Sequence, residues 1–321
     1  MHEARSENPG PADAGGTLRA QLADLTTESV DESLRDLDRL PTGDLVQAMN
    51  AQDALVHSAV GRLGPVIADT VDAITARMRT GGRLIYIGAG SSGRLGVLDA
   101  SECPPTFGTD PALVVGLIAG GDSALRTAVE GAEDDPSGGV QSLTDVALTA
   151  ADTVVGISAS GRAPFVIGAL EYAKEVGALT VAVACNEHSS IGALADFAIE
   201  VVVGPEFVAG STRLKSGTAQ KLVLNMLSTL TMIRLGKTYG NIMVDLKASN
   251  KKLQARAVRT IMSIAGVDAS TAANALDAAH GSTKEALMSV MTGLPADQAH
   301  EVLLRYGGHL RAALESTQRQ Q

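Results

Sequence analysis

Apolar residues recur with two different periods along the chain, and the change of period divides it into three parts. Between residues 26 and 80 they recur every three or four positions, which predicts roughly two or three amphipathic helices. Between residues 81 and 250 short runs rich in Val, Ile and Leu alternate with helical stretches. Beyond residue 250 the periodicity is helical. The pattern therefore predicts an α/β centre with helical segments before and after it.

Several of the short apolar runs have the length and the β-branched composition of buried strands. They are residues 83–87, 113–118, 153–157, 179–184 and 198–203. Because helical stretches alternate with them, the runs predict βαβ units and a parallel five-stranded sheet flanked by helices. Right-handed crossovers bring the carboxyl ends of the strands to one edge, where ligands bind in open α/β sheets.

Composition and spacing give expected boundaries for these parts. Residues 1–20 are polar and rich in Gly, Pro and Ala, which is typical of a disordered lead-in. We expect N-terminal helices that pack on the sheet at residues 21–80, the α/β domain at residues 81–250, and a small C-terminal helical bundle at residues 251–321. The long apolar-striped helix at residues 222–237 is expected to lie buried at the centre.

Composition also argues against several functional classes. The net charge of -10 disfavours nucleic acid, whose binding draws on a basic surface. Apolar runs fall short of a bilayer span and residues 1–20 contain no signal-peptide core, so we expect a cytoplasmic protein that is not in a membrane. Cys103 and Cys185 are expected to be reduced thiols, and the six scattered histidines predict no metal site.

A glycine-rich loop follows the first predicted strand. Residues 88–93 read Gly-Ala-Gly-Ser-Ser-Gly, which formally matches the G-x-G-x-x-G dinucleotide pattern. The prolines at 104 and 105 are expected to limit the next helix to roughly two or three turns, too short for that fingerprint. The hydroxyls of Ser91 and Ser92, with the backbone at Gly93, suit the oxygens of a terminal phosphate. The loop therefore favours a phosphomonoester over a dinucleotide.

A second loop of similar character follows the third predicted strand. Residues 158–162 read Ser-Ala-Ser-Gly-Arg, so Ser158, Ser160 and Gly161 are candidates for ligand contacts. Either loop alone is equally compatible with an ordinary turn between a strand and a helix. Two such loops at one edge of a sheet favour the binding of a phosphate and neighbouring sugar hydroxyls.

Two glutamates 31 residues apart stand in settings that ordinary folding avoids. Glu102 precedes prolines 104–105, which predict a stiff, non-helical backbone. Glu133 belongs to a run of four acids in residues 130–135 at a predicted helix C-terminus, where the macrodipole disfavours negative charge. Each could equally be a surface carboxylate, and helical spacing does not separate Glu133 from Glu130. Because the two serine-rich loops already favour a ligand site, the two glutamates are candidates for the acid and the base of a reaction there.

A third polar cluster, residues 210–221, leads into the long helix. Ser211 and Lys215 are candidates for contacts with a substrate. Ser216 is expected to cap the helix.

Four longer runs are more specific than either loop. They are YIGAGSSGRLGVLDASECPPTFG at 86–108, AVEGAED at 128–134, GSTRLKSGTAQK at 210–221 and GNIMVD at 240–245. Together they resemble one known family, the N-acetylmuramic acid 6-phosphate etherases of the SIS (sugar isomerase) fold family. The resemblance covers nearly everything from residue 25 onward. It implies a flavodoxin-like SIS sheet and a carbon–oxygen lyase. This lyase would cleave the D-lactyl ether of N-acetylmuramate 6-phosphate, giving N-acetylglucosamine 6-phosphate and D-lactate during recovery of cell-wall sugar.

The same resemblance assigns the site residues. The two catalytic acids of the family fall on Glu102 and Glu133, with Glu102 as the acid at the lactyl oxygen and Glu133 as the base at C2. Open-chain substrate would lose its C2 proton and then the C3 lactyl oxygen, and water would add at C3. No metal and no organic cofactor is implied, and a homodimer with the site near the subunit interface is expected. The alternatives are an aldose–ketose isomerase and a non-catalytic sugar-phosphate sensor, and whether Glu28 reaches a neighbouring subunit's site is left open.

Overall fold

A five-stranded parallel sheet forms the centre of the molecule. The computed structural model describes residues 25–245 and 251–319, so the lead-in predicted at residues 1–20 lies outside the described residues. The sheet has the order β2-β1-β3-β4-β5. Its strands are β1 Leu84–Gly88, β2 Val114–Ile118, β3 Thr153–Ile157, β4 Leu179–Ala184 and β5 Phe197–Glu200. The predicted α/β class and the predicted parallel sheet are confirmed.

Strand order creates a switch point inside the sheet. β1 pairs with β2 on one side and with β3 on the other, both in parallel register. Every residue of β1 and of β3 is buried. Because the winding reverses between β1 and β3, the loops that leave their carboxyl ends diverge and open a crevice. The two serine-rich loops of the sequence are the loops that leave these two strands.

Helices cover both faces of the sheet. Before the first strand lie α1 Thr42–Gly61 and α2 Gly64–Arg79. The strands are connected by α3 Gly90–Phe107, α4 Pro136–Asp145, α5 Pro164–Val176 and α6 Ser190–Leu194, and α7 Lys215–Arg234 follows β5. Successive residues of β1 serve different cores, since Tyr86 joins Ile74 and Leu227 on one face while Ile85 joins Leu170 on the other. This alternation explains why the strand reads as a continuous apolar run.

The helix that follows β1 is longer than the prolines predicted. α3 spans 18 residues, about five turns, with Pro104 and Pro105 inside it. Cys103 and Phe107 are buried in the core on the last turns, and Gly108 ends the helix with a hydrogen bond of 2.9 Å to the carbonyl of Pro104. Packing of these side chains outweighs the roughly 3 kcal/mol that a proline costs inside a helix. The expectation of a short helix and of a non-helical Glu102 was wrong.

α7 is central but not fully buried. Val223 and Leu227 lie in the core, whereas Met226, Leu230 and Ile233 are 37%, 40% and 42% exposed. Apolar residues therefore occupy two faces of this helix, and only one of them packs in the core that α1, α2, α3 and the sheet form. The expectation that the whole helix lies buried was wrong.

The chain after α7 folds around a core of its own. A short hairpin, β6 Thr238–Tyr239 and β7 Ile242–Met243, precedes the helices α8 Lys251–Ala265, α9 Ala269–Ala278, α10 Thr283–Thr292, α11 Ala296–Arg305 and α12 Leu310–Gln318. Their apolar faces meet in a cluster that includes Ile261, Leu287 and Leu303. The exact domain boundaries stay a prediction. Among residues 25–245 and 251–319, no helix combines the length and the apolar character needed to cross a membrane.

Candidate active site

A cavity of about 270 Å³ opens at the carboxyl ends of β1 and β3. Its wall combines backbone of both serine-rich loops with polar side chains from five segments of the chain. These side chains are Ser91, Ser92, Ser158, Ser160, Thr212, Glu28 and Glu133. The cavity therefore occupies the switch point of the sheet, where open α/β sheets bind ligands.

The first loop presents a helix N-terminus to the cavity. α3 begins at Gly90, and Ser91 and Ser92 form its first turn, where backbone N–H groups have no partner inside the helix. Ser92 donates a hydrogen bond of 3.0 Å to Oε1 of Gln220 on α7, which anchors its side chain. Gly93 lies beneath the loop, because an added Cβ would stand 2.5 Å from the carbonyl oxygen of Gly88. Gly93 thus permits close packing and does not line the cavity.

The second loop is held by its own hydroxyls. Oγ of Ser158 accepts a hydrogen bond of 3.1 Å from the backbone N–H of Gly161, and the two serine hydroxyls lie 3.3 Å apart. At most one of their two protons is used between them, so at least one is available to a ligand. Gly161 adopts φ +72°, and an added Cβ would stand 2.3 Å from Cβ of Ser189. Gly161 shapes the turn and does not line the cavity.

Glu133 lies on a short helical turn, Ala132–Asp134, that precedes α4. Asp135 caps α4 by accepting a hydrogen bond of 3.0 Å from the N–H of Ser137. The acidic run therefore stands before a helix N-terminus, and the expected C-terminal position was wrong. An Asp followed by Pro136 is a helix start signal, and the run of acids obscured it. Burial in the cavity wall, and then the charge of Asp134, raises the pKa of Glu133.

A second cavity of about 290 Å³ adjoins the first and shares Ala89, Gly90 and Glu133 with it. Arg94 contributes to its wall. The Arg94 guanidinium donates hydrogen bonds of 2.6 Å and 3.2 Å to the carbonyls of Ala124 and Leu125. This contact ties the segment that leads to Glu133 to the first turns of α3.

Glu102 is not part of the cavity wall. It lies exposed on α3, ten residues after Ser92, which corresponds to about 15 Å along the helix. Asp99, three residues earlier, is buried and accepts hydrogen bonds from Tyr86 at 2.8 Å and from Asn225 at 2.9 Å. The structure therefore does not bring Glu102 and Glu133 together within one subunit.

The third polar cluster contributes Thr212 to the cavity wall and not the residues expected from the sequence. Ser211 is adjacent to it, and Lys215 is buried, with Nζ donating a hydrogen bond of 2.7 Å to Gln52. The Glu206 carboxylate accepts hydrogen bonds of 2.9 Å from the N–H groups of Lys215 and Ser216 and so caps α7. The cap expected from the Ser216 side chain was wrong.

Sequence analysis did not single out Thr212, and for Glu28 it left open only a role in a neighbouring subunit's site. Glu28 lines the cavity of its own subunit, although it lies 105 residues before Glu133. No local pattern points to it, because its position depends on contacts made far along the chain.

In the part of the chain that the structure describes, no group of three or more His, Cys, Asp or Glu is placed to hold a metal ion. Cys103 and Cys185 are free thiols whose pKa burial raises to about 12.

Two family models match overlapping parts of the chain. Residues 139–230 match the model of the SIS domain, and residues 66–174 match that of the N-terminal SIS domain of glucokinase regulatory protein. The phosphoheptose isomerase of Neisseria gonorrhoeae is 18% identical, with a TM-score of 0.47 over 60% of this chain and 98% of that protein.

Comparison with curated proteins extends over almost the whole chain. The N-acetylmuramic acid 6-phosphate etherase of Streptomyces coelicolor is 56% identical over 92% of this chain and 96% of its own length. The proteins of that name from Vibrio campbellii and Caldanaerobacter subterraneus are 54% and 51% identical, over 94% and 92% of this chain and 98% and 96% of their own. This chain therefore belongs to the N-acetylmuramic acid 6-phosphate etherase family.

Proposed function

We propose that this chain is a carbon–oxygen lyase that removes the D-lactyl group from N-acetylmuramic acid 6-phosphate. The products are N-acetylglucosamine 6-phosphate and D-lactate, and the reaction serves the recovery of cell-wall amino sugar in the cytoplasm. The observation that supports this most strongly is more than 50% identity to etherases over more than 90% of the chain. A cavity with two serine-rich loops and a glutamate at the switch point is consistent with it.

The phosphate is proposed to bind between the two loops. There the N–H groups of the first turn of α3 and the hydroxyls of Ser91, Ser92, Ser158 and Ser160 supply donors. A terminal phosphate has three oxygens that accept hydrogen bonds, so several converging donors favour it over a neutral sugar group. The sugar would then extend from the loops along the cavity toward Glu133.

Glu133 is proposed as the base at C2. In the open-chain aldehyde the carbonyl acidifies the C2 proton, and a carboxylate within reach can remove it. Burial and the neighbouring charge of Asp134 raise the pKa of Glu133, and a higher pKa makes its ionised form a stronger base. A positioned base of this kind contributes roughly 10²- to 10⁴-fold to the rate. The elimination itself calls for no redox step and no organic cofactor.

Glu102 is proposed as the acid at the lactyl oxygen, contributed by the second subunit of a homodimer. Its distance from its own cavity and its exposed position on α3 support this assignment. Leu98, one turn earlier, is 46% exposed, and α7 beside it leaves Met226 and Leu230 uncovered. A twofold axis would bury these apolar residues on both copies and bring Glu102 of each toward the other's cavity.

Incubation of the purified protein with N-acetylmuramic acid 6-phosphate tests the function. Release of D-lactate together with N-acetylglucosamine 6-phosphate is the expected result. Conversion of an aldose phosphate to a ketose phosphate without lactate would instead establish the isomerase alternative. Binding of the amino sugar phosphate without turnover would establish the sensor.

A further inference from the structure

Glu28 lines the same cavity as Glu133, and the function proposed above assigns no role to Glu28. Both carboxylates line the wall beside the two serine-rich loops, and both belong to one subunit. Glu28 ends a short helical turn, Thr26–Glu28, near the start of the described chain. Its carboxylate also lies near Gly210, where an added Cβ would be 3.5 Å from Oε2 of Glu28. Two segments far apart in sequence therefore enclose this side of the cavity.

The segment that carries Glu28 is fixed in place by Asn186. Oδ1 of Asn186 accepts a hydrogen bond of 3.3 Å from the N–H of Thr27, and its Nδ2 donates to Oγ1 of Thr27 at 3.0 Å. The same Nδ2 lies within hydrogen-bond distance of the carbonyls of Ala159 and Ser160, at 3.2 Å and 3.3 Å. Thr27 is fully buried and Asn186 is 3% exposed. One amide thus joins the N-terminal segment to the second serine-rich loop.

Charge decides what Glu28 can bind in this cavity. Among the described residues that form the wall there is no Lys, Arg or His side chain. A carboxylate accepts hydrogen bonds and repels a phosphate dianion, so it does not belong to the phosphate end of the site. The hydroxyls and the amide N–H of an amino sugar are donors that match it.

We propose that Glu28 is a substrate-binding residue whose carboxylate accepts hydrogen bonds from the hydroxyl or amide donors of the amino sugar. Thr27 and Asn186 act through it as positioning residues. Phosphate selection then resides in the two loops and sugar selection in Glu28. The inference rests on the proposed function, because it takes an amino sugar phosphate as the ligand.

The test compares Glu28→Gln with the matched control Glu32→Gln. Glu32 is exposed on the next short helical turn, where it pairs with Arg35. The chain has no Trp, so isothermal titration calorimetry with N-acetylglucosamine 6-phosphate replaces intrinsic fluorescence. Glu28→Gln removes the charge and replaces one accepting oxygen by an NH2 donor. It should weaken the binding of this product by about 10- to 100-fold, the range for loss of a hydrogen bond to a charged group. Glu32→Gln should bind as the unmodified chain does.

A second ligand separates a contact from a structural effect. Inorganic phosphate should stabilise Glu28→Gln against heat at least as well as it stabilises the unmodified chain, because the variant removes a negative charge. Unchanged affinity for the amino sugar phosphate would overturn the proposal, whatever happens to kcat. An equal loss of affinity for the product and for inorganic phosphate would overturn the proposal as well, since such a loss would indicate a disrupted site.

Thr27→Val tests the positioning role. It removes one hydrogen bond to Asn186 while keeping the size of the side chain. When it is the only substitution, it should therefore weaken the binding of the product. In the Glu28→Gln background it should have no further effect. Additive losses would contradict action through Glu28. Binding of product without release of lactate by the unmodified chain would contradict the etherase assignment and leave the test of Glu28 intact.

Discussion

The hydroxyl of Tyr86 on β1 donates a hydrogen bond of 2.8 Å to Oδ2 of Asp99 on α3. Asn225 of α7 donates to the other carboxylate oxygen at 2.9 Å. Burial raises the pKa of Asp99, while the hydrogen bond from Tyr86 opposes this by favouring the charged form. One buried carboxylate therefore joins a strand and two helices three residues before Glu102. It fixes the side of α3 on which Glu102 lies.

Replacement of Tyr86 by Phe should lower the free energy of unfolding by about 1–3 kcal/mol, because the buried carboxylate loses a donor. The loss should be larger at neutral pH than at mildly acidic pH. Tyr86 stabilises the ionised form of Asp99, and protonation of Asp99 removes that advantage as the pH falls through its raised pKa. Urea unfolding followed by circular dichroism measures both effects. Tyr172→Phe, at a half-buried position on α5, is the control, and a loss independent of pH would contradict the argument.

Mixed dimers should reveal whether the site is shared between subunits. Glu102→Gln and Glu133→Gln should each release little lactate alone. If the site combines Glu133 of one subunit with Glu102 of the other, random exchange of the two variants should restore about a quarter of the original activity. Restoration depends on one intact site in each mixed dimer. No recovery after verified subunit exchange would mean that both carboxylates act within one subunit.

Isotope exchange should separate the base from the acid. In heavy water, Glu102→Gln should still exchange the C2 proton of the substrate while it loses lactate release, because the base is intact. Glu133→Gln should lose both processes. Proton nuclear magnetic resonance of the C2 position measures exchange directly. Exchange retained in Glu133→Gln and absent in Glu102→Gln would reverse the proposed roles.

Replacement of Asp134 by Asn should move the acidic limb of the pH dependence of kcat/KM to lower pH. The charge of Asp134 adds to burial in raising the pKa of Glu133. Without that charge the ionised base forms at lower pH, although burial still holds the pKa of Glu133 above its ordinary value. Lactate release across the acidic range measures the shift. Asp145→Asn, at the end of α4, supplies a control with the same change of charge.

Gly161→Ala should impair substrate binding far more than Gly293→Ala, the same substitution at a left-handed glycine with open space around it. Gly161 and Gly293 have φ of +72° and +76°, so alanine is strained at both. At Gly161 the new Cβ would also meet Ser189 at 2.3 Å, whereas nothing lies within 4 Å at Gly293. We expect KM to rise at least tenfold for Gly161→Ala only, the effect of about 1.4 kcal/mol. Equal KM values in the two variants would contradict a role for this turn in the site.

Local patterns predicted a large part of the fold. The five apolar runs became the five strands, because buried parallel strands need continuous apolar residues. The loops at residues 88–93 and 158–162 could be predicted to meet, since both follow strands whose carboxyl ends share an edge. The sequence also predicted a functional role for Glu133, although it predicted a helix C-terminus where the structure has the start of α4.

Tertiary structure alone decided two other features. α3 continues through Pro104 and Pro105 because Cys103 and Phe107 find a core to pack against. Glu102 lies outside the cavity wall of its own subunit, because the uninterrupted helix carries it ten residues beyond Ser92.

The sequence by itself determined the sheet, the two serine-rich loops at its edge and the family. These rest on local periodicity, turn chemistry and long runs of matching residues. Only the tertiary structure brought Glu28 to the cavity, through Asn186 at a separation of 159 residues from Thr27. The physical reason is that a contact at such separation depends on how the elements pack, and no short stretch of sequence records it.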